Sequence, residues 1–281
     1  MSAPTTPASH PGGGRDQGDD GPVGARAMVL RQSDYWLTRF RRTWRGSVIG
    51  SFLEPVLYLL AMGVLLGQYV DDAGSASIGP SYLDFVAPGM MAAASMQLAT
   101  SETTWPVMGA VKWDRTYYGM LATPLRVRDI VAGHLTFVVL RLGFTAAVFA
   151  LVVGIFGVFS SVPGALGAWL AAVLTGIAFA FPVYGYAAGA RSEQSFALIY
   201  RIGVIPMFLF SGAFFPVENL PAPLEVVARV LPLWHGVELC RGAALGGLDL
   251  LPAVGHVAYL AALAGAGGWW AVRRLTGRLV V

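Results

Sequence analysis

Six apolar stretches dominate the sequence, at about residues 47–67, 84–106, 129–156, 165–189, 194–214 and 251–272. Each is close to the roughly 20 residues that one helix needs to cross a bilayer. Hydrocarbon offers no water to backbone groups, so such a chain must satisfy its hydrogen bonds within helices. The expected architecture is an all-α integral membrane protein with six transmembrane helices. Only 12 % of the residues are charged and 56 % are hydrophobic, whereas soluble domains carry about 25 % charge. An ordinary cytosolic enzyme, a disordered protein and a small disulfide scaffold are thereby excluded. Stretches three and four are separated only by Phe159-Ser160-Ser161-Val162-Pro163, a tight turn.

The placement of charge orients these spans. With a cytoplasmic N-terminus, 15 of the 19 basic residues fall on the cytoplasmic side and only Arg229 and Arg241 outside; Arg141 and Arg201 lie within spans. A bias of this size follows the positive-inside rule and predicts that both termini are cytoplasmic. The same distribution explains the net charge of +3 without a nucleic-acid partner. Residues 1–24 are rich in Pro, Gly, Ser and Asp and are expected to form a disordered cytoplasmic tail, with no signal-peptide pattern. Residues 25–275 form the transmembrane domain, and 276–281 a short cytoplasmic tail. Between residues 25 and 45, Val29, Trp36, Leu37, Phe40 and Trp44 share one helical face, opposite Arg31, Asp34, Arg41, Arg42 and Arg45. This pattern predicts an amphipathic interfacial helix lying in the membrane surface, or one packed on a partner protein.

Two connections carry more than chain reversal. The cytoplasmic segment after span two mixes charged Lys112, Asp114 and Arg115 with the contact residues Trp113, Tyr117, Tyr118 and Leu121. Such a short helix either docks on another protein or lays its aromatics against lipid. The external segment from Ser211 to Asp249 holds two short apolar helices, Leu224–Leu231 and Trp234–Ala244, on either side of Pro232. Each is too short to span, so an extracellular re-entrant hairpin before the last span is expected, acting as a gate or as a lid. Pro216 is expected to end span five. Glu54, Glu102, Arg141 and Arg201 fall inside spans, where each costs about 2.5–3.5 kcal/mol by insertion scales. Mutual ion pairing is the expected remedy, whether the charges fix packing or meet substrate. The patterns Gly63-x-x-x-Gly67 and Gly185-x-x-x-Gly189 fit close helix contacts. The four histidines are scattered, with no metal spacing, and Cys240 reads as a small apolar filler.

Several stretches together resemble the ABC type-2 permeases, in the branch of nodulation-factor exporters and daunorubicin-resistance permeases. They are Phe52-Leu53-Glu54-Pro55-Val56-Leu57-Tyr58, Phe85-Val86-Ala87-Pro88-Gly89-Met90, Met120-Leu121-Ala122-Thr123-Pro124-Leu125, Phe210-Ser211-Gly212-Ala213-Phe214-Phe215-Pro216 and Pro232-Leu233-Trp234-His235-Gly236. The resemblance covers about residues 30–275. It implies a transport subunit of the bacterial plasma membrane that lacks an ATPase site and binds no cofactor itself. ATP and magnesium would sit on two cytoplasmic nucleotide-binding subunits. A second copy or a sister permease would complete the pathway. The resemblance also implies ATPase docking through Lys112, Trp113, Asp114, Arg115, Tyr117, Tyr118 and Leu121. Spans two and five of both chains would face each other, placing Met90, Met91, Gln97, Met207 and Phe210 along the path. Phe214, Phe215, Trp234 and His235 would stand at its outer gate. The implied cargo is lipid-like, glycolipid or hydrophobic and drug-like. A membrane enzyme acting on lipids would need clustered acids or histidines, and an ion-coupled transporter would show repeated halves; neither pattern is present.

Overall fold

The computed structural model describes residues 35–38, 41, 53, 55–72 and 81–280. The tail over 1–24, Glu54 and most of the 25–45 segment lie outside the described residues. The described chain is helical, with no strand. In order it forms α1 (Pro55–Val70), α2 (Tyr82–Met108), α3 (Thr116–Leu121), α4 (Val127–Ile155), α5 (Val162–Gly189), α6 (Gln194–Phe210), α7 (Ala222–Val230), α8 (Pro232–Leu245) and α9 (Leu250–Leu279). Among the described residues, α4, α5 and α9 are long and apolar enough to cross a membrane, while α1 and α6 are apolar but shorter.

α5 is the hub, packed against α2, α4, α8 and α9. Its buried face is made of small residues, including Ala168, Ala172, Gly176, Ala180, Ala187 and Ala188. Small residues let helices approach where no hydrophobic effect drives them together. At Gly185 a Cβ would lie 2.7 Å from the Trp270 ring of α9, and at Gly267 of α9 one would lie 2.5 Å from Pro182 of α5. Gly185 thus makes the close contact that its sequence pattern suggests.

α2 is as long as a span but more polar, because it faces protein. Met90, Met96, Ala99 and Val107 are buried. The buried hydroxyls of Thr100, Thr103 and Thr104 each donate to the carbonyl one turn earlier, at 2.9, 2.7 and 2.8 Å. These polar side chains are satisfied within their own helix.

α8 runs antiparallel to the first half of α5. Ala244 O accepts from Ser160 N at 2.9 Å, Cys240 Sγ approaches Ala168 O at 3.6 Å, and Gly236 lies against Thr175. The start of α8 therefore sits about 20 Å along α5 from Val162, given a rise of about 1.5 Å per residue. The α7–α8 junction meets α9 at the same level, where Tyr259 Oη donates to Val230 O at 2.7 Å. α7 turns Val226, Val227 and Val230 outward.

Span five departs from expectation at both its middle and its end. Ile199–Val204 is wound as a π-helix, and the helix stops at Phe210 rather than at Pro216. Gly212 takes φ +81°, a left-handed conformation that glycine adopts without steric cost. The chain therefore breaks over Ser211–Phe215, and Pro216 only leads into the single turn Val217–Asn219.

Candidate functional site

Two polar constellations occupy opposite ends of the bundle. The first is built around α3. α2 continues through a π-turn over Gly109–Trp113, and Arg115 adopts φ 50°, so the chain folds back into α3. Positive φ is uncommon outside glycine, and here it redirects the chain between two helices. Trp113 (51 % exposed) and Tyr118 (43 %) point outward, and Lys112, Asp114 and Arg115 are exposed with them. Leu121 is half-buried. Val111, Lys112, Arg115, Tyr118 and Arg278 line a cavity of about 520 Å³. Arg278 donates to Ala188 O at 2.8 Å and Ala190 O at 2.5 Å, closing the end of α5 against α9.

Tyr117 does not belong to this exposed surface. It is fully buried and points into the bundle. Its hydroxyl accepts from Tyr184 Oη at 3.0 Å and lies 2.8 Å from His134 Nδ1. One hydrogen lies between the hydroxyl and Nδ1, supplied by the tyrosine in one tautomer of His134 and by the imidazole in the other. Trp36 stacks on His134 at 3.9 Å. The apolar face expected at the membrane surface therefore packs, at Trp36, on α4 of the same chain. α3, α4, α5 and the segment around Trp36 are joined through one buried cluster. Sequence reasoning missed His134, Tyr184 and this role of Trp36, because the residues lie far apart in the chain.

Further into the bundle, Arg141 of α4 donates to Glu102 of α2 at 2.6 Å. Their side chains are 19 % and 16 % exposed. This is the mutual pairing expected of intramembrane charges. Arg201 does not share in it: it is exposed on the π-wound stretch of α6 and makes no ion pair among the described residues.

The second constellation surrounds Ser211–Phe215. Phe208 meets Phe214 edge-on at 4.9 Å, and Tyr82 Oη donates to Phe214 O at 3.0 Å. Met207, Phe214, Phe215 and Trp234 are half-buried, and Phe210 is 39 % exposed. His235 and His256 approach Nδ1 to Nδ1 at 2.6 Å, and Tyr259 stacks on His235 at 4.1 Å. At most one hydrogen lies between those nitrogens. Gln97 is half-buried on α2, but Met90 and Met91 are sealed inside the chain. They pack within this chain. Arg241 joins this end from α8, a residue that the sequence offered only as an external charge. Among the described residues, no group of His, Cys, Asp and Glu could hold a metal ion.

Apolar helices around a small-residue hub, with charge gathered at one end and paired inside, define an integral membrane protein. The chain belongs to the ABC-2 type transporter family, whose profile matches residues 33–245. It is a permease, the transport subunit of that family. It is 34 % identical over 218 residues to Nodulation protein J of Rhizobium leguminosarum bv. trifolii, covering 75 % of this chain and 81 % of that one. Nodulation protein J of Rhizobium meliloti (strain 1021) is 30 % identical over the same length, with the same coverage of both chains. The inner membrane transport permease YadH of Escherichia coli (strain K12) is 24 % identical over 208 residues, covering 74 % of this chain and 79 % of that one.

Proposed function

We propose that the chain crosses the bacterial inner membrane six times, with both termini cytoplasmic, as the permease of an ATP-driven exporter. Two ABC ATPase subunits dock at the α3 end, and a second copy or a sister permease completes the path. ATP and magnesium bind to those ATPase subunits and not to this chain. The cargo is a lipid-like, glycolipid or hydrophobic drug-like molecule, taken from the cytoplasm or the inner leaflet. The α7–α8 pair is a re-entrant hairpin open to the exterior, a reading supported by the depth at which α8 begins against Thr175. Phe210, Phe214, Phe215, Trp234 and His235 form the outer gate, a dry constriction of the kind that blocks water without charge.

One observation carries the reading. At the α3 end, Trp113, Tyr118 and three charged side chains stand exposed on α3 and the turn leading into it, while the remaining aromatic of that helix, Tyr117, is locked into the bundle. A rigid base beneath an exposed aromatic and charged tip suits a docking element that must transmit force. Co-purification with an ABC ATPase subunit from the same genome tests it. The expected result is a stable complex whose hydrolysis rises with substrate and falls when Trp113 and Tyr118 are truncated. Undiminished association of that double variant would overturn the docking assignment.

A further inference from the structure

We propose that Arg241 is the latch of the outer gate: its guanidinium holds the Ser211–Phe215 segment closed, and its release is the step that opens the path. The inference rests on the outer-gate reading above and adds the residue that controls it.

The geometry is specific. Arg241 Nη2 donates to Gly212 O at 2.7 Å, and Nε and Nη2 both reach Phe85 O at 3.4 Å. Nη1 pairs with Glu238 at 3.1 Å, and the guanidinium lies 3.8 Å from the Phe85 ring centroid. One side chain, only 16 % exposed, thus ties together the start of α2, the break after α6, and α8. Arginine suits this task because its planar fork can serve several acceptors while its face stacks on an aromatic ring.

The segment it grips needs such a partner. Ser211–Phe215 is not helical, so its carbonyls have no helical ladder to enter, and bare carbonyls are costly away from water. Two neutral contacts complete the seat. Tyr82 Oη donates to Phe214 O at 3.0 Å, and Gly89 lies so close to Ala213 that a Cβ would come within 2.9 Å of its backbone. Among these ties the arginine alone is charged, and hydrogen bonds to charged groups are stronger than neutral ones. The closed segment is not fully satisfied either. Ser211 Oγ and Trp234 Nε1 are buried and find no hydrogen-bond partner among the described protein groups. Opening would hydrate both, so the closed state holds against a real competitor, and removing the arginine should tip the balance.

Cysteine accessibility in the assembled transporter reads this directly. Cys240 is the chain's only cysteine, so Cys240→Ala clears the background. Ser211→Cys, nearly isosteric at a fully buried position, then reports opening. A charged, membrane-impermeant thiol reagent is applied from each side without ATP. With Arg241 present, Ser211→Cys should be protected. Arg241→Gln should speed its labelling about tenfold or more, as expected for loss of hydrogen bonds to a charged group that governs a local opening. Arg241→Lys, which keeps the charge but not the fork, should fall between the two. A cysteine at Ala178, buried in α5 away from the gate, must stay protected in the same variants; if it labels as well, Arg241 merely stabilises the fold and the latch is wrong. Unchanged labelling of Ser211→Cys also overturns the proposal, and Arg241→Lys alone decides the matter if Arg241→Gln does not accumulate. Faster labelling only from the cytoplasmic side would uphold the latch and refute the outward placement of the hairpin.

Discussion

The two ends of the bundle solve opposite problems with different chemistry. In the proposed exporter, α3 must not move relative to the bundle that carries it. It is anchored by a fully buried aromatic whose hydroxyl joins His134 and Tyr184 at 2.8 and 3.0 Å. These are side-chain-to-side-chain contacts between regular helices, packed on every side. At the α7–α8 end an irregular segment is held by a guanidinium and a tyrosine hydroxyl acting on backbone carbonyls. Contacts to an irregular backbone can be exchanged for water without unfolding a helix. Rigid coupling at one end and releasable closure at the other is the division of labour that the proposed ATP-driven gate requires.

The largest effect is expected in the middle of the bundle, where a charge pair joins α2 and α4. Arg141→Leu strands Glu102 and should cost about 3 kcal/mol or more, as expected when one partner of a buried pair is lost. The readout is yield and thermal stability of the purified chain. The double change Glu102→Leu, Arg141→Leu should recover most of it, whereas Arg229→Leu, which removes a half-exposed surface cation, should cost far less. Next, Tyr117→Ala should destabilise by about 3 kcal/mol through the cavity left behind. Tyr117→Phe should cost only about 1 kcal/mol, the value of its hydrogen bonds; equal effects would mean that polar linkage and not packing fixes α3. Trp113→Ala with Tyr118→Ala should weaken ATPase binding by about 2 kcal/mol, as for aromatic hot spots. It should leave the melting temperature of the free permease nearly unchanged, because both side chains are exposed. A modest loss of stability is expected at the other end. Gly89→Ala must displace Ala213, at about 1–2 kcal/mol for an overpacked contact. Its clearest signature is solute leak through the resting transporter.

Much of the helix order was legible because the bilayer sets a single length for apolar segments. The long helices α4, α5 and α9 begin within a few residues of the apolar stretches read from sequence. α2 was legible as one long helix despite Asp84 and Glu102, since its threonines can satisfy themselves. The end of span five was misread because a proline outweighed a glycine: Pro216 is the stronger helix breaker in isolation, yet Gly212 breaks the helix earlier by adopting positive φ. The charge pair was legible as a need for partners but not as a pairing, because Glu102 and Arg141 are brought together only by packing of α2 on α4. Tyr117 looked like a surface aromatic because a short amphipathic helix does not disclose which face its neighbours cover. The burial of Met90 and Met91 within the chain was not legible either, since apolar residues look alike whether they line a path or fill a core. Arg241 gave only a local hint, the spacing to Glu238; its grip on Gly212 and Phe85 is entirely tertiary.

Coupling to ATP hydrolysis at one end and closure of the path at the other are tested together by measuring substrate moved per ATP hydrolysed in vesicles holding the permease and its ATPase. The Phe214→Ala, Phe215→Ala double variant is predicted to keep ATPase association and hydrolysis. Its transport per ATP should fall and small solutes should leak. A variant that folds normally, stays tight and moves the usual amount of substrate per ATP would show that these aromatics do not close the path.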